Sequence, residues 1–322
     1  MKFSTPVELP KSVVHISPRS HIMLIGSCFT EHIGRHISEC LPSSQITVNP
    51  SGILYNPKSI CNTIRHLLSP SFKFDEPMTF QSTDGLWHHW HYSTLFTAPN
   101  REELKERLRA AWESAHDVFN RIDLLLITFS TDHAYGLNEG PLKGTLVANC
   151  HKQPGRMFYE TVLTLEFLRE IWDSLLTDLQ KTHPTLKVVF TLSPYRYAKY
   201  GMHENALSKA RLLLLIDELC HNHEQATYFP SYEIITDELR DYRFYAPDML
   251  HPTEQAADYV WERFTEWCFG NEMKEYAHER QALTRDLNHR PIHPESAEFR
   301  RFQDRVKERQ LLFEQKWNEK WS

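Results

Sequence analysis

Two short stretches bring together residue types that do acyl chemistry. In "IMLIGSCFTEHIGRHI", residues 22–37, four apolar residues run into Gly26, and Ser27 and Cys28 follow before a polar helical pattern begins. A strand-to-helix turn is a place where α/β enzymes expose a nucleophile. In "YAPDMLHPT", residues 245–253, Asp248 stands three positions before His251, and Pro252 supports a helix start. A carboxylate at that spacing can fix the imidazole tautomer through one N–H and leave the other nitrogen as a base. Thiol or hydroxyl, imidazole and carboxylate are the parts of a nucleophilic triad. Two attacking atoms stay open. The Cys28 thiol, ordinarily with a pKa near ~8.5, is favoured as thiolate by a helix N-terminus and a nearby imidazole. Otherwise it is a buried core residue. Ser27 is the other nucleophile, or an N-cap.

Three further stretches are rich in polar side chains. "GLWHHWHYS" sets His88, His89 and His91 close together, but no third ligand is identifiable, so no metal is expected. These rings are read as surface aromatics around a cleft, able to stack on a sugar. "SPYRYAKYGMHENALSKA" supplies Arg196, Lys199, His203, Glu204, Asn205 and Lys209, and "NCHKQP" supplies Asn149, His151, Lys152 and Gln153. Arg196, His203, Asn205, Lys209 and His151 are candidate substrate-binding residues for an anionic or polyhydroxylated group. The alternative for the first stretch is a capping segment, with Asn205 or His203 as cap.

Apolar runs that look like buried parallel strands cover His21–Gly26, Gln45–Pro50, Asp123–Ser130 and Leu186–Pro194, and a weaker fifth, "ATYFPSYEII", is interrupted by Pro230. Helical patterns lie between them: Pro57–Leu68 with proline at N1, Arg101–Val118 after Asn100, Phe158–Leu179, Ala206–Leu219 and Thr253–Phe269. This alternation predicts a doubly wound sheet covered on both faces. Ligands of such sheets bind outside the carboxyl ends of the strands. Residues 70–100 fit no strand–helix–strand unit, and the insertion is placed at about 70–120. From Pro294 to Trp321 the sequence reads as an exposed helix with a thin apolar stripe: Phe299, Phe302, Val306, Leu311, Phe313 and Trp317. It either packs on the domain surface or makes a homodimer contact. The division is therefore 1–270 and a helical extension over 271–322.

The chain has 322 residues, 41% of them apolar and 24% charged, enough for a sizeable core. A net charge of −6 and the lack of a long basic run argue against nucleic acid as a partner. No segment approaches the ~20 apolar residues of a membrane helix. The N-terminus has no apolar signal region. The six cysteines form no C-x-x-C pair, so free thiols in a cytoplasmic setting are expected.

With these parts in order, the sequence resembles the SGNH/GDSL hydrolase superfamily, and more closely its GSCFA branch. The resemblance runs from about Lys2 to Phe269. It rests on Gly26-Ser27-Cys28-Phe29-Thr30, with Thr for the branch's final Ala, and on "NPSGILYNP", "VANCHKQP", "LSPYRYAKYGMHENALSKA" and "DMLHP". It implies a flavodoxin-like three-layer α/β/α sandwich and ester hydrolysis through a triad that includes Asp248 and His251. In the superfamily's G-D-S register the nucleophile slot falls on Cys28 and the Asp slot on Ser27. Gly52 matches the glycine whose N–H meets the oxyanion. The superfamily's third block, G-x-N-D, stands here as Ser130-Thr131-Asp132-His133, so its oxyanion-binding Asn is missing. Asp132 in that place would repel negative charge, and Asn149 is the substitute donor if its loop folds back. The implied substrate is a small-molecule or carbohydrate ester, an acetylated sugar first among them, with no cofactor. Acyl transfer, or ligand binding without catalysis, are the alternatives.

Overall fold

The computed structural model describes residues 4–287, 289–290, 293 and 295–321. Pro294, the expected start of the last helix, lies outside the described residues. In chain order the elements are β1 Ile22–Gly26, α1 Cys28–Cys40, β2 Ile46–Val48, α2 Pro57–Leu67, β3 Thr79–Gln81, β4 Trp87–His89, α3 Arg101–Phe119 and β5 Leu124–Phe129. There follow β6 His133–Leu137, β7 Leu146–Val147, β8 Phe158–Val162, α4 Leu165–Thr182, β9 Lys187–Leu192, α5 Met202–Asn222 and β10 Ala226–Tyr228. The chain closes with the short α6 Ser231–Glu233, then α7 Glu254–Cys268, α8 Asn271–Leu287 and α9 Ala297–Trp321.

Five strands form one parallel sheet in the order β10-β9-β5-β1-β2. Counted along the chain this is the 2-1-3-4-5 order of flavodoxin-like folds. Alternation along each strand divides the core. Met23, Ile25, Leu125, Ile127, Val188 and Phe190 pack against α2, α3, α4 and α5. Ile22, Leu24, Leu124, Leu126 and Val189 face α1, α7 and the C-terminal helices. The result is a three-layer α/β/α sandwich, as the strand–helix alternation predicts. Because both faces are covered, β1 and β5 are apolar but for Gly26 and Thr128, and fully buried. Caps stand where the sequence places them: Asn56 accepts from the Ser59 N–H with Pro57 at N1, and Asn100 from the Glu103 N–H.

One element differs from expectation. Phe158–Val162 is strand β8, paired antiparallel with β6, and the helix begins at Leu165 behind a Thr164 cap. "FYETV" carries no clean period-2 alternation, and the long helical pattern that follows dominates the sequence signal there. The 70–120 segment divides. The β3–β4 hairpin stands apart from the main sheet, whereas Trp112, Ala115 and Phe119 of α3 join its core. The hairpin meets β6, β7 and β8 in a small second core of Met78, Trp90, Leu137, Val147 and Phe158. At the C-terminus, Trp317 of α9 is buried against Tyr276 of α8, and both join the cluster that contains Leu24. Val306 and Trp317 of the expected stripe are buried, and Leu311 faces outward. No helix among the described residues is long and apolar enough to cross a membrane.

Of the expected cleft aromatics, His88 stacks on Phe80 of that second core, whereas His89 lies against Phe74 and Tyr92 and, with His91, lines a separate cavity of about 220 Å³. His88 and His89 are buried, and the imidazole of His88 lies 4.8 Å from that of His151. Burial, with neighbouring imidazoles, pushes the His89 pKa down to about 3 and that of His151 to about 4. Both rings are therefore neutral in the fold, and the fold gains from this fully only above the ordinary imidazole range near 6.5. As pH falls from there toward 4, the unfolded chain binds protons that the fold excludes, and stability drops. Thermal unfolding between pH 7.5 and 4.5 should show a steadily falling Tm. A His89→Gln/His151→Gln double variant, less stable at pH 7.5, should lose less across the same window; an equal loss contradicts neutral burial as the cause.

Candidate functional site

The site assembles from the carboxyl ends of β1, β2, β5 and β9. Gly26 closes β1 where β5 crowds it: a Cβ there would lie 2.5 Å from the Thr128 carbonyl oxygen. The chain then turns into α1. Ser27 occupies the N-cap position, but its side chain caps nothing, and its Oγ is fully buried with no partner. Cys28, first residue of α1, is only half-buried. Burial pushes its thiol pKa up. The N–H of Phe29 and its own N–H pull the other way, as does Lys209 more weakly, while Glu31 adds to the rise. Of the two candidate nucleophiles, Cys28 alone is partly open.

After β2 the backbone makes a tight turn with Asn49 at φ 48° and Gly52 at φ 78°. Gly52 is not a free oxyanion donor, because its N–H is spent on the Asn49 carbonyl at 2.7 Å. Its lack of a side chain serves packing, since a Cβ there would meet Ser93 Oγ at 1.9 Å. The Asn49 carboxamide reaches back to β1, where Oδ1 accepts the Gly26 N–H at 2.9 Å.

At the end of β5, Asp132 is fully buried and ion-paired with Arg211, which also binds Glu204. Its charge is neutralised inside the protein and does not face an oxyanion, contrary to the expected repulsion. Lys209 is likewise not a substrate ligand. It is buried, and its Nζ donates to the carbonyls of Ser130 at 2.6 Å and Ser193 at 2.8 Å, which joins the ends of β5 and β9. Burial lowers its pKa to about 7, opposed by Asp132 and Cys28. Asn205 is buried and holds the next loop by accepting the Tyr197 N–H at 2.8 Å. His203 is exposed on α5, away from the cleft. His151 is buried, its Nε2 at 3.1 Å from the His89 carbonyl, so its ring belongs to the second core.

The Asp248–His251 pair is formed as expected. His251 Nδ1 lies 2.6 Å from Asp248 Oδ2, and Oδ1 accepts the N–H groups of Leu250 and His251 at 2.9 and 3.0 Å. These bonds, led by the His251 N–H, hold the carboxyl pKa down at about 2. Arg196 contributes by fixing this loop: its N–H donates to the Leu250 carbonyl, and its Nη1 to that of Met249. The His251 ring is about half exposed and lies 4.4 Å from the ring of Tyr195. Tyr195 also feels the charges of Asp248 and Cys28, so it links the two parts of the site. Among the described residues, no hydrogen bond joins His251 to Cys28 or Ser27.

Beside these groups lies a cleft of about 330 Å³ whose walls include Tyr55, Tyr135, Tyr195, Tyr197, Tyr200 and Asn149. Tyr55, Tyr195 and Tyr197 all lie within electrostatic reach of Cys28. Asn149 does fold back to this cleft, its Oδ1 held by the His151 N–H at 2.7 Å. The tyrosines were missed in the sequence. Their signal is the run at 195, 197 and 200 in a loop after a strand's carboxyl end, where aromatic rings have no core of their own to join. Asn49 was missed too, as a polar residue closing an edge strand before Pro50. Among the described residues, no group of three or more His, Cys, Asp or Glu side chains is placed to hold a metal ion.

No curated protein matches the chain significantly. The solved structure of a proposed platelet activating factor from Streptococcus pneumonia is 12% identical, over 79% of this chain and 85% of that chain, with a TM-score of 0.37. That likeness is too distant to carry an argument about this site. The sequence model of the GSCFA family matches residues 21–264, which include the Gly26–Cys28 turn and the Asp248–His251 pair, and the chain belongs to the GSCFA family.

Proposed function

We propose that the protein is an ester hydrolase of SGNH type that works through an acyl-enzyme on Cys28. The observation that carries this reading is the ordered Asp248–His251 pair, set against Tyr195, which lies within electrostatic reach of the half-open thiol at the start of α1. Cys28 Sγ attacks the acyl carbon while His251 takes the thiol proton. The tetrahedral intermediate collapses, the ester C–O bond breaks, and His251 returns the proton to the departing alkoxide. Water, deprotonated by His251, then cleaves the thioester, and the proton returns to the thiolate. Asp248 keeps Nε2 free to act as the base. Solvent reaches the half-exposed His251, which favours water over a second alcohol as acyl acceptor. The Cys28–His251 hydrogen bond forms when substrate fills the cleft, as catalytic hydrogen bonds are often long or unmade before substrate binds.

A second reading, a ligand-binding protein that keeps the fold without turnover, is favoured by the missing Cys28–His251 hydrogen bond. Release of p-nitrophenol from p-nitrophenyl acetate separates the two. Cys28→Ala should bring release to background, and His251→Ala should lower it by roughly 10²–10⁴-fold. Ser27→Ala should stay within a few-fold of the parent. No turnover, with ligand-dependent shifts in Tm, supports the binding protein instead.

Arg196 acts on this chemistry only through the loop it holds. Arg196→Ala should lower kcat by roughly 10- to 100-fold through a displaced imidazole, with KM and Tm little changed. A loss confined to KM would make Arg196 a substrate ligand, as the sequence reading had it.

A further inference from the structure

Asn49 is tied down through every polar group but one. Its N–H donates to the Leu24 carbonyl at 2.8 Å, its carbonyl accepts from Gly52 at 2.7 Å, and its Oδ1 accepts from Gly26 at 2.9 Å. Nδ2, on a side chain that is 8% exposed, has no partner. The amide cannot be turned over to relieve this, because Nδ2 would then face the Gly26 N–H, donor against donor. The backbone is also in the left-handed region, at φ 48°, which an L-residue adopts at a cost. An unsatisfied buried donor costs about 1–3 kcal/mol, and proteins concentrate such defects at working sites. Gly26, which orients this amide, lies two residues before Cys28. Ser27 Oγ and Thr30 Oγ1, on the same turn, also lack partners.

We infer that Asn49 Nδ2 is a donor of the oxyanion hole, in place of the Asn missing after β5. This rests on the acyl-enzyme reading above. When Sγ bonds to the acyl carbon, the carbonyl π pair moves onto oxygen, and Nδ2–H meets that oxygen together with the first N–H groups of α1. When the pair returns to re-form the carbonyl, the C–O bond to the alcohol breaks. The amide gives up no proton at any stage. Because Gly26 holds Oδ1, the donor is oriented before substrate arrives; Nδ2 is covered in the free protein, so the acyl oxygen reaches it as the turn around Cys28 opens to substrate.

The test compares two reactions of one thiol. Acylation of Cys28 by p-nitrophenyl acetate, followed by intact mass, passes through an oxyanion, whereas alkylation by iodoacetamide does not. Asn49→Asp keeps the Gly26 hydrogen bond and removes the donor, and Asn49→Gly keeps the backbone conformation. Each variant's folding is checked by circular dichroism, and Asn49→Asp suffices if Asn49→Gly does not fold. Rates are compared at the high-pH plateau, where the thiol is ionised in every variant. The ratio of acylation to alkylation should fall by about 10²–10³-fold, the usual effect of losing one oxyanion donor. An unchanged ratio, with both rates kept or both lowered together, overturns the assignment and leaves Asn49 a structural residue. If that occurs while parent turnover still needs His251, the acyl-enzyme reading stands and only the oxyanion role of Asn49 fails. A parent thiol that is alkylated but never acylated overturns both.

Discussion

The ammonium of Lys209 sets the arrangement of the candidate site. A parallel sheet buried on both faces delivers its last carbonyls into a dry interior, where each must find a donor. For β5 and β9 that donor is one buried amine, shared between Ser130 and Ser193. No apolar residue could satisfy two carbonyls at once, which accounts for a lysine kept where burial drags its pKa to about 7. The contacts continue outward. Ser130 Oγ lies 2.8 Å from the Tyr197 hydroxyl, Asn205 holds the Tyr197 N–H, and Arg196 between them anchors the 246–251 loop. The His251 imidazole is thus positioned, through a short series of hydrogen bonds, by a lysine that never touches it.

The central sheet was legible because its strands are buried on both sides, so apolar runs such as "IMLIG" and "LLLITF" carry no competing signal. The second core was not. Its strands are short, half-exposed and rich in polar residues, and β8 abuts a long helix whose pattern absorbed it. Asp248 and His251 were legible because they meet across three residues of one loop. Lys209 and Asn205 were found as polar residues, but their roles were read wrongly. Asn205, Ser208 and Lys209 fall at i, i+3 and i+4 of α5, in line with buried Leu212 and Ile216. That spacing marks an inward face which turns polar where α5 reaches the sheet's carboxyl edge. It distinguishes a buried tie from a substrate ligand without any structure.

Tyrosines line the cleft, and His151 packs in the second core, for a physical reason. A neutral imidazole between Phe80, Trp90 and another imidazole packs as an aromatic ring and needs few hydrogen bonds. Tyrosine in the β9 loop has a hydroxyl that wants water or a partner, so it settles at the boundary between core and cleft. Tyr195 and Tyr197 meet edge to face at 4.7 Å, and Tyr197 and Tyr200 stack at 5.5 Å, which makes the wall stiff. A stiff aromatic wall beside a nucleophile sorts ligands by shape, and an acyl group has little shape of its own. On the ester-hydrolase reading, selectivity therefore belongs to the group on the far side of the ester bond.

The turn after β1 shows why adjacent Ser and Cys are not equivalent. The crowding at Gly26 and the start of α1 fix the path so that Ser27 is fully buried and Cys28 stays partly exposed. A thiol at the head of a helix is often expected to be ionised, but here desolvation outweighs the two N–H groups and Lys209, and the proton stays on sulfur at neutral pH. Such a thiol waits for a base. The base on offer is an imidazole in water, beside a carboxylate held near pKa 2, and so still an anion when the ring takes a proton. On the acyl-enzyme reading, proton removal and attack are then coupled, and both depend on what fills the space next to Tyr195. A pre-ionised thiolate would react with any passing electrophile; a protonated one that needs His251 reacts when a substrate brings the two together.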